Sequence, residues 1–99
     1  MAKRVIWSPL AKKRRREILE YWIRHNKSKT YSRKLNSLFK GAQKLISLHP
    51  NMGIPTSDPK IRHKLVRDYS LFYELREDSI IILTVWDHRQ NPDKLTFHE

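Results

Sequence analysis

The sequence has 99 residues, with 21 Lys and Arg against 10 Asp and Glu and a net charge of +11 at neutral pH. A chain of this length suits one domain, so we predict a single domain over residues 1–99. It contains no cysteine, which excludes disulfides and thiolate metal sites and fits a reducing compartment, so we expect a cytoplasmic protein. Its longest apolar run, residues 80–86, is too short to cross a bilayer, and we expect no membrane association.

The positive charge is concentrated in the first half of the chain. Residues 1–49 carry 14 basic and 2 acidic side chains, a net +12, whereas residues 50–99 carry 7 and 8, a net −1. Such a field attracts polyanions, which include nucleic acid, the ribosome, anionic membranes and acidic proteins. Simple solubility is the alternative explanation for the charge.

The first segments predict a short strand followed by a helix. Residues 4–7 have the apolar character of a strand. Ser8 and Pro9 then suit the N-cap and the first position of a helix that ends near residues 24–26. Arg15 falls on the apolar stripe of this helix, from which it can extend to the helix edge or to an acidic partner.

A second helix is predicted after a polar turn. Ser28 or Thr30 can cap its start, and Pro50 ends it. Two consecutive helices joined by a short turn indicate an antiparallel hairpin. The apolar positions of the second helix recur with helical spacing: Tyr31, Leu35, Leu38, Phe39, Ala42, Leu45, Ile46 and Leu48.

The second half predicts a loop and three strands. Residues 49–55 contain two prolines and a glycine, which are typical of a loop. Residues 61–66 and 71–75 alternate, and residues 80–86 are apolar on both faces, as in a central strand. The order β-α-α-β-β-β predicts an α+β fold in which the helical hairpin packs on one face of a four-stranded, mostly antiparallel sheet. The expected core includes Ile18, Trp22, Leu35, Leu38, Ala42, Leu71, Tyr73, Ile81 and Leu83.

A cluster of polar residues ends the predicted central strand. His88 and Arg89 lie on this rigid support, and Asp87 is expected to pair with Arg89 or to cap the turn before Pro92. Arg62 and Lys64 lie two residues apart on a neighbouring strand and therefore on one face. We expect the four cationic or titratable groups to come together. The histidines have no spacing that suggests a metal site, and we predict neither metal nor cofactor.

Several short motifs together resemble the RelE/ParE superfamily of toxins from type II toxin–antitoxin pairs. They are Ser8-Pro9 with Ala11, the His-Pro-x-x-Gly-x-Pro loop at 49–55, Arg-x-Lys-Leu at 62–65, Tyr-x-Leu-Phe-Tyr at 69–73 and the terminal Arg89. The resemblance covers residues 4–92. It implies an α+β fold, a growth-inhibiting toxin and an antitoxin partner, expected to be acidic, that covers the active surface.

The resemblance leaves two targets open, because RelE-like members cut mRNA on the ribosome whereas ParE-like members poison DNA gyrase. Metal-independent RNA cleavage needs a base for the 2′-hydroxyl, a stabiliser of phosphate charge and an acid. By resemblance, Arg62 and Lys64 would supply charge and the base, and Arg89 would hold the phosphate. Histidine is the side chain whose unperturbed pKa suits proton transfer near neutrality, and His88 is the histidine nearest these residues in the predicted fold. Our main hypothesis is ribosome-dependent cleavage by these four residues, with target binding by Lys12, Lys13, Arg16 and Arg67.

The sequence also departs from the nuclease pattern. Ser70 and Leu95 stand where RelE-like nucleases have Arg and Tyr, so two expected chemical groups are missing. The long hairpin and the Pro-x-x-Gly-x-Pro loop resemble ParE-like toxins, which need a binding surface and no catalytic groups. Gyrase poisoning is therefore the alternative, and whether the chain is an enzyme stays open. A plain nucleic-acid-binding module is a third hypothesis.

Overall fold

A computed structural model of the chain describes residues 2–97 and contains two helices packed on one face of a sheet. The elements are β1 Arg4–Trp7, α1 Pro9–Asn26, α2 Thr30–Leu48, β2 Ile54–Pro55, β3 Ile61–Val66, β4 Tyr69–Leu75, β5 Ser79–Asp87 and a 3₁₀ turn at Pro92–Lys94. Residues 1, 98 and 99, which the predicted domain includes, lie outside the described residues. The α+β class and the order of one strand and two helices before the remaining sheet are confirmed.

The sheet is mixed and has five strands within residues 2–97, in the order β1-β5-β4-β3-β2. β1 runs parallel to β5, and the other neighbouring pairs are antiparallel. The prediction of four mostly antiparallel strands was therefore wrong. The missed strand, β2, has two residues, one of them Pro55, and pairs only with Arg62 and His63. Two residues are too few to show an alternating pattern.

The cap of α1 also ties this helix to the sheet. The Ser8 hydroxyl accepts a hydrogen bond from the Ala11 amide at 3.1 Å and donates to the Leu83 carbonyl oxygen at 2.9 Å. Lys27, at a φ of 52°, ends the helix in the left-handed region. The predicted N-cap and first position of α1 are confirmed. In α2, the cap position is Lys29 rather than Ser28 or Thr30, although the Ser28 hydroxyl accepts from the Thr30 amide at 3.2 Å.

The larger core cluster lies between the helices and the sheet. Leu35 and Phe39 are fully buried there, which confirms the predicted phase of α2. Leu45 and Leu48 were placed on the same stripe, but they are 43% and 48% exposed at the flank of the helix. The cluster contains Ala11, Leu35, Phe39, Ala42, Ile46, Val66, Tyr69, Leu71, Tyr73, Ile80, Ile82 and Val85, with Ile18, Trp22 and Leu38 packed against it.

A smaller cluster lies on the sheet face that the helices leave open. Ile61, Phe72 and Leu83 are buried in it, and Leu95 and Phe97 pack over them from the C-terminal segment. The predicted core residues Ile81 and Leu83 belong to this face. Neither helix within residues 2–97 is long and apolar enough to span a bilayer.

Candidate functional site

The side chains at the end of β5 point to alternate faces of the sheet. Asp87 pairs in register with Tyr69, which belongs to the helix-side core. The next residue, His88, lies 2.7 Å by its Nε2 from the hydroxyl of Ser70. Ser70 points away from the helices, because both of its neighbours in β4 point towards them. The strand end therefore supplies groups to two separate surfaces.

On the open face, two histidines share one buried hydroxyl. The Ser70 Oγ lies 3.0 Å from His63 Nδ1 and 2.7 Å from His88 Nε2, and Ser70 is fully buried. A serine hydroxyl has one proton to donate, so it donates to one imidazole and accepts from the other. The His63 ring stacks on Phe72 with centroids 4.8 Å apart. This chain, His63–Ser70–His88, is an arrangement through which a proton can pass.

The surroundings of these three hydrogen-bonded side chains favour a neutral His63. Burial lowers the pKa of His63, and a positive charge on nearby His88 lowers it further. The neutral imidazole can accept a proton at neutral pH. Sequence analysis did not select His63 or Ser70, because their contact depends on the pairing register of β3 and β4.

Arg89 is held on the opposite, helix-facing side of the sheet. Its Nε and Nη2 donate to the two carboxylate oxygens of Asp87 at 3.0 and 2.8 Å, and Nη2 also donates to the Tyr69 hydroxyl at 3.3 Å. The guanidinium lies 5.5 Å from the Trp22 ring centroid. The expected pairing of Asp87 with Arg89 is confirmed.

The pKa values of this pair reflect the same contact. Burial alone would raise the pKa of Asp87, but hydrogen bonds from Arg89 lower it below its ordinary value. The hydrogen bond to Asp87 raises the pKa of Arg89. The arginine is thus engaged within the fold through a bidentate contact, which is among the stronger hydrogen-bond arrangements in proteins.

Arg62 and Lys64 share one face, as predicted, but it is the helix-facing side and not the side of His88. They pair in register with Tyr73 and Leu71, which lie in the helix-side core. The Arg62 Nη1 donates to the carbonyl oxygens of Gly53 at 2.8 Å and Asn51 at 3.1 Å. Its Nε is buried and has no hydrogen-bond partner among the described residues. Arg62 therefore clamps the loop before β2.

Tyr73 reinforces this clamp from the neighbouring strand. Its hydroxyl donates to the Pro50 carbonyl oxygen at 2.8 Å and accepts from the Gly53 amide at 2.9 Å. A Cβ at position 53 would collide with the Tyr73 hydroxyl oxygen. The Tyr73 hydroxyl can approach the backbone this closely only if residue 53 is glycine. This contact is a structural explanation for the glycine of the Pro-x-x-Gly-x-Pro loop.

The four predicted target-binding residues lie in two places. Lys12, Lys13 and Arg16 are exposed on α1, whereas Arg67 lies in the β3–β4 turn with a φ of 56°. Arg67 borders a groove of about 550 Å³ between α2 and β3. Its lining is mostly apolar or small and also contains the cations Lys44 and Lys64; the apolar and small residues are Leu38, Gly41, Ala42, Leu45, Leu48, Leu65 and Val66.

Comparison with known proteins identifies the family. A family model described as the ParE toxin of the type II toxin–antitoxin system parDE matches residues 5–92. The chain belongs to this ParE toxin family. The sequence-based assignment to the RelE/ParE superfamily is thereby confirmed, and a partner antitoxin is implied.

A solved structure supports the fold of this ParE toxin. A chain from a structure titled "Chromosomal ParDE TA system from P. aeruginosa" is similar at a TM-score of 0.75 and 16% sequence identity, over 87% of this chain and 96% of that one. At this identity the likeness concerns the fold alone. Among curated proteins, no match is found.

Proposed function

We propose that this ParE toxin inhibits growth by binding and poisoning DNA gyrase rather than by cutting RNA. The proposal rests on one observation, the placement of His88 and Arg89 on opposite faces of the sheet. His88 contacts Ser70 on the open face, and Arg89 contacts Asp87 and Tyr69 on the helix-facing side.

Cleavage of RNA requires convergent groups. A proton acceptor, a proton donor and a stabiliser of the phosphate charge must surround a single phosphate. Here Arg62 donates to loop carbonyls, Lys64 lies beside α2, and Arg89 is bound to Asp87. None of these three cations lies on the side of His88. A toxin that acts by binding needs no such convergence, which favours the gyrase hypothesis over the nuclease hypothesis.

The test is induction of the toxin in bacteria without antitoxin, followed by the rates of DNA and protein synthesis. Under this proposal DNA synthesis falls first, and purified gyrase with supercoiled plasmid accumulates protein-linked, cleaved DNA when the toxin is added. An early stop in protein synthesis, together with cut mRNA on programmed ribosomes and unaffected gyrase, would contradict the proposal.

Ribosome-dependent mRNA cleavage remains the second candidate because of the His63–Ser70–His88 chain. The exposed imidazole of His88 contacts the buried Ser70 hydroxyl, which in turn contacts His63, an imidazole of lowered pKa. If the site cuts RNA, His88→Gln should reduce cleavage by about 10²–10³-fold, a typical loss for one catalytic group. If gyrase is the target, His88→Gln should retain toxicity. His25→Gln, a change of an exposed histidine on α1, is the matched control.

For the antitoxin, we propose that an acidic amphipathic segment occupies the groove between α2 and β3. The groove exposes Leu45, Leu48 and Leu65, each between 43% and 49%, beside cationic Lys44, Lys64 and Arg67. Apolar anchors with charged rims suit such a segment.

The proposed antitoxin surface is tested by Leu45→Glu. This change places a carboxylate among the apolar walls and should weaken antitoxin binding by tenfold or more, as measured by calorimetry, because interface anchors are commonly worth over 1 kcal/mol. Met52→Glu, at a residue of similar exposure away from the groove lining, is the control. Equal affinity of both variants would contradict the assignment.

A further inference from the structure

The outer surface of the helical hairpin carries most of the positive charge of the molecule. Residues 9–48 contain twelve Lys and Arg and two Glu, a net +10 out of +11 for the whole chain. All of α2, nineteen residues long, lacks an acidic side chain. Such an excess is unfavourable for a compact fold through self-repulsion. The hairpin therefore has a concentration of charge that packing does not explain.

The cations of α2 form one row on the side turned away from the core. The helix buries Leu35, Phe39, Ala42 and Ile46, and helical geometry places the opposite positions on the solvent side. Those positions include Arg33, Lys40 and Lys44, and all three are exposed. From the first to the last, eleven residues at about 1.5 Å each span about 16 Å.

A second row comes from α1. Lys12 and Arg16 line a shallow groove that also includes Asn36 of α2, so they lie beside the second helix. Arg15 also lines this groove. Its guanidinium lies 4.6 Å from the Trp7 ring centroid and donates to Asn36 Oδ1 at 3.0 and 2.5 Å. This polar contact fixes the two helices, and with them the two rows, relative to each other.

The acidic side chains of the hairpin do little to offset these rows. Glu17 pairs with Arg14 at 2.9 Å, and Glu20 lies 4.0 Å from Arg24 while bordering the inter-helix groove. Both are on α1. The α2 row therefore has no carboxylate on its own helix.

We propose that the outer face of the hairpin binds the phosphodiester backbone of duplex DNA without reading its sequence. Packed helices lie about 8–10 Å apart, and the grooves of B-form DNA are about 6 and 12 Å wide. Two cation rows at that spacing can contact phosphates of both strands across a groove. This activity is additional to gyrase binding and does not depend on it.

The composition of the face favours nucleic acid over an acidic protein. Protein interfaces rely on apolar or aromatic anchors at their centre. From Arg33 to Lys44, the outward polar positions of α2 are Arg33, Ser37, Lys40 and Lys44. The exposed Leu48 one turn later lines the groove beside β3, and Leu19 and Ile23 lie partly buried between the helices. Phosphate binding needs cations alone. The apolar groove between α2 and β3, in contrast, has the anchors that a protein partner requires.

The experiment measures binding of the full chain to a fluorescent DNA duplex of about 20 base pairs by anisotropy, between about 50 and 200 mM salt. Lys12→Gln/Lys40→Gln removes one cation from each row. Lys60→Gln/Lys94→Gln removes the same charge from exposed residues outside the hairpin and is the matched control. Circular dichroism verifies that both double variants fold.

The expected result is a change in salt dependence confined to the hairpin variant. Each lost phosphate contact lowers the slope of log affinity against log salt by about 0.9. The double variant should therefore lose about 1.8 from the slope, so that the affinity drop between the two salt concentrations is about 12-fold smaller than in the parent. Equal slopes for the hairpin and control variants would overturn the proposal, because they would show a response to net charge alone.

Three further ligands test which kind of polyanion the hairpin face binds. Single-stranded DNA should bind more weakly than the duplex, since two rows require two strands, and equal binding would overturn the two-row arrangement. An RNA duplex bound while the DNA duplex is not would assign the face to RNA instead. Poly-glutamate bound as tightly as DNA at equal charge would assign the face to an acidic polypeptide and overturn the DNA proposal.

Discussion

The two faces of the sheet differ in what their polar side chains do. On the helix-facing side, Arg62 and Arg89 are bound to carbonyl and carboxylate oxygens of the fold itself. On the open face, His63 and His88 meet at a buried serine hydroxyl under a cover of few apolar residues. Adjacent residues along one strand thus serve different purposes. The two histidines share a hydroxyl on the open face, whereas the part-buried Arg62 and the half-exposed Arg89 hold other parts of the fold in place.

The largest expected contrast between the faces concerns packing. Phe39 is fully buried on the helix-facing side, with its ring 6.0 Å from that of Tyr69. Phe39→Ala should lower the free energy of unfolding by about 3–5 kcal/mol. Phe72→Ala should cost less, because Phe72 belongs to a cluster of only three buried residues whose cover of Leu95 and Phe97 can close over the space left behind. Urea unfolding measures both, and an equal or larger loss for Phe72→Ala would contradict the difference between the faces.

The loop clamp on the helix-facing side should have the next largest effect. Tyr73→Phe removes the hydroxyl that binds both Pro50 and Gly53, leaving the buried Gly53 amide and the part-buried Pro50 carbonyl without this partner. The free energy of unfolding should fall by about 1–3 kcal/mol, and exchange of the Gly53 amide hydrogen should become faster. Tyr21→Phe, at a residue 43% exposed, is the control. Unchanged exchange at Gly53 would argue against the clamp.

The open face should show its chemistry in the pH dependence of stability. Burial and His88 lower the pKa of His63 in the folded state, so the unfolded chain binds the proton more tightly. The resulting stability is present above the ordinary histidine pKa of about 6.5 and is lost as the pH falls below it. His63→Gln should reduce the loss of stability between about pH 7.5 and pH 5.5. The same loss in His63→Gln and in the parent would contradict this assignment.

The smallest expected effect concerns the exposed ion pairs of the hairpin. Glu17→Gln breaks the 2.9 Å contact with Arg14, in which both side chains are more than 40% exposed. The free energy of unfolding should change by less than about 1 kcal/mol, as is usual for surface pairs. Thermal unfolding at low and high salt provides the measurement. A loss comparable to that of Tyr73→Phe would show that surface charge helps to hold the hairpin.

The helices were predictable because local signals agreed with the tertiary structure. Ser8 and Pro9 specified the start of α1, and the spacing of Leu35, Phe39 and Ala42 specified the buried side of α2. Leu45 and Leu48 also fit this stripe, yet they line the groove beside β3. Periodicity defines a helix face within a range of angles, and the neighbouring element decides which edge of that face is covered.

The site was less predictable because it depends on register and on the side that the helices cover. In β3, both alternating sets mix apolar and polar residues, so the sequence alone did not show that Arg62 faces the helices and His63 the open side. Ser70 stands where RelE-like nucleases have Arg, so the sequence indicated only a missing group there, but in the fold Ser70 joins two histidines distant in sequence. Arg62 and Tyr73 also hold the loop that leads into β2. The two residues of β2 are too few to show the alternation of a strand, so these tertiary contacts were needed to place it.

The parallel pairing of β1 with β5 has a consequence for the synthesis of this protein. Residues 4–7 find their partners only at residues 79–82, near the other end of the described chain. Contacts between residues so distant in sequence form late in folding, because the chain must first close a long loop. A nascent chain that stops before β5 has neither the central strand nor the polar residues at its end. We therefore expect that a product terminated before residue 79 cannot form this sheet.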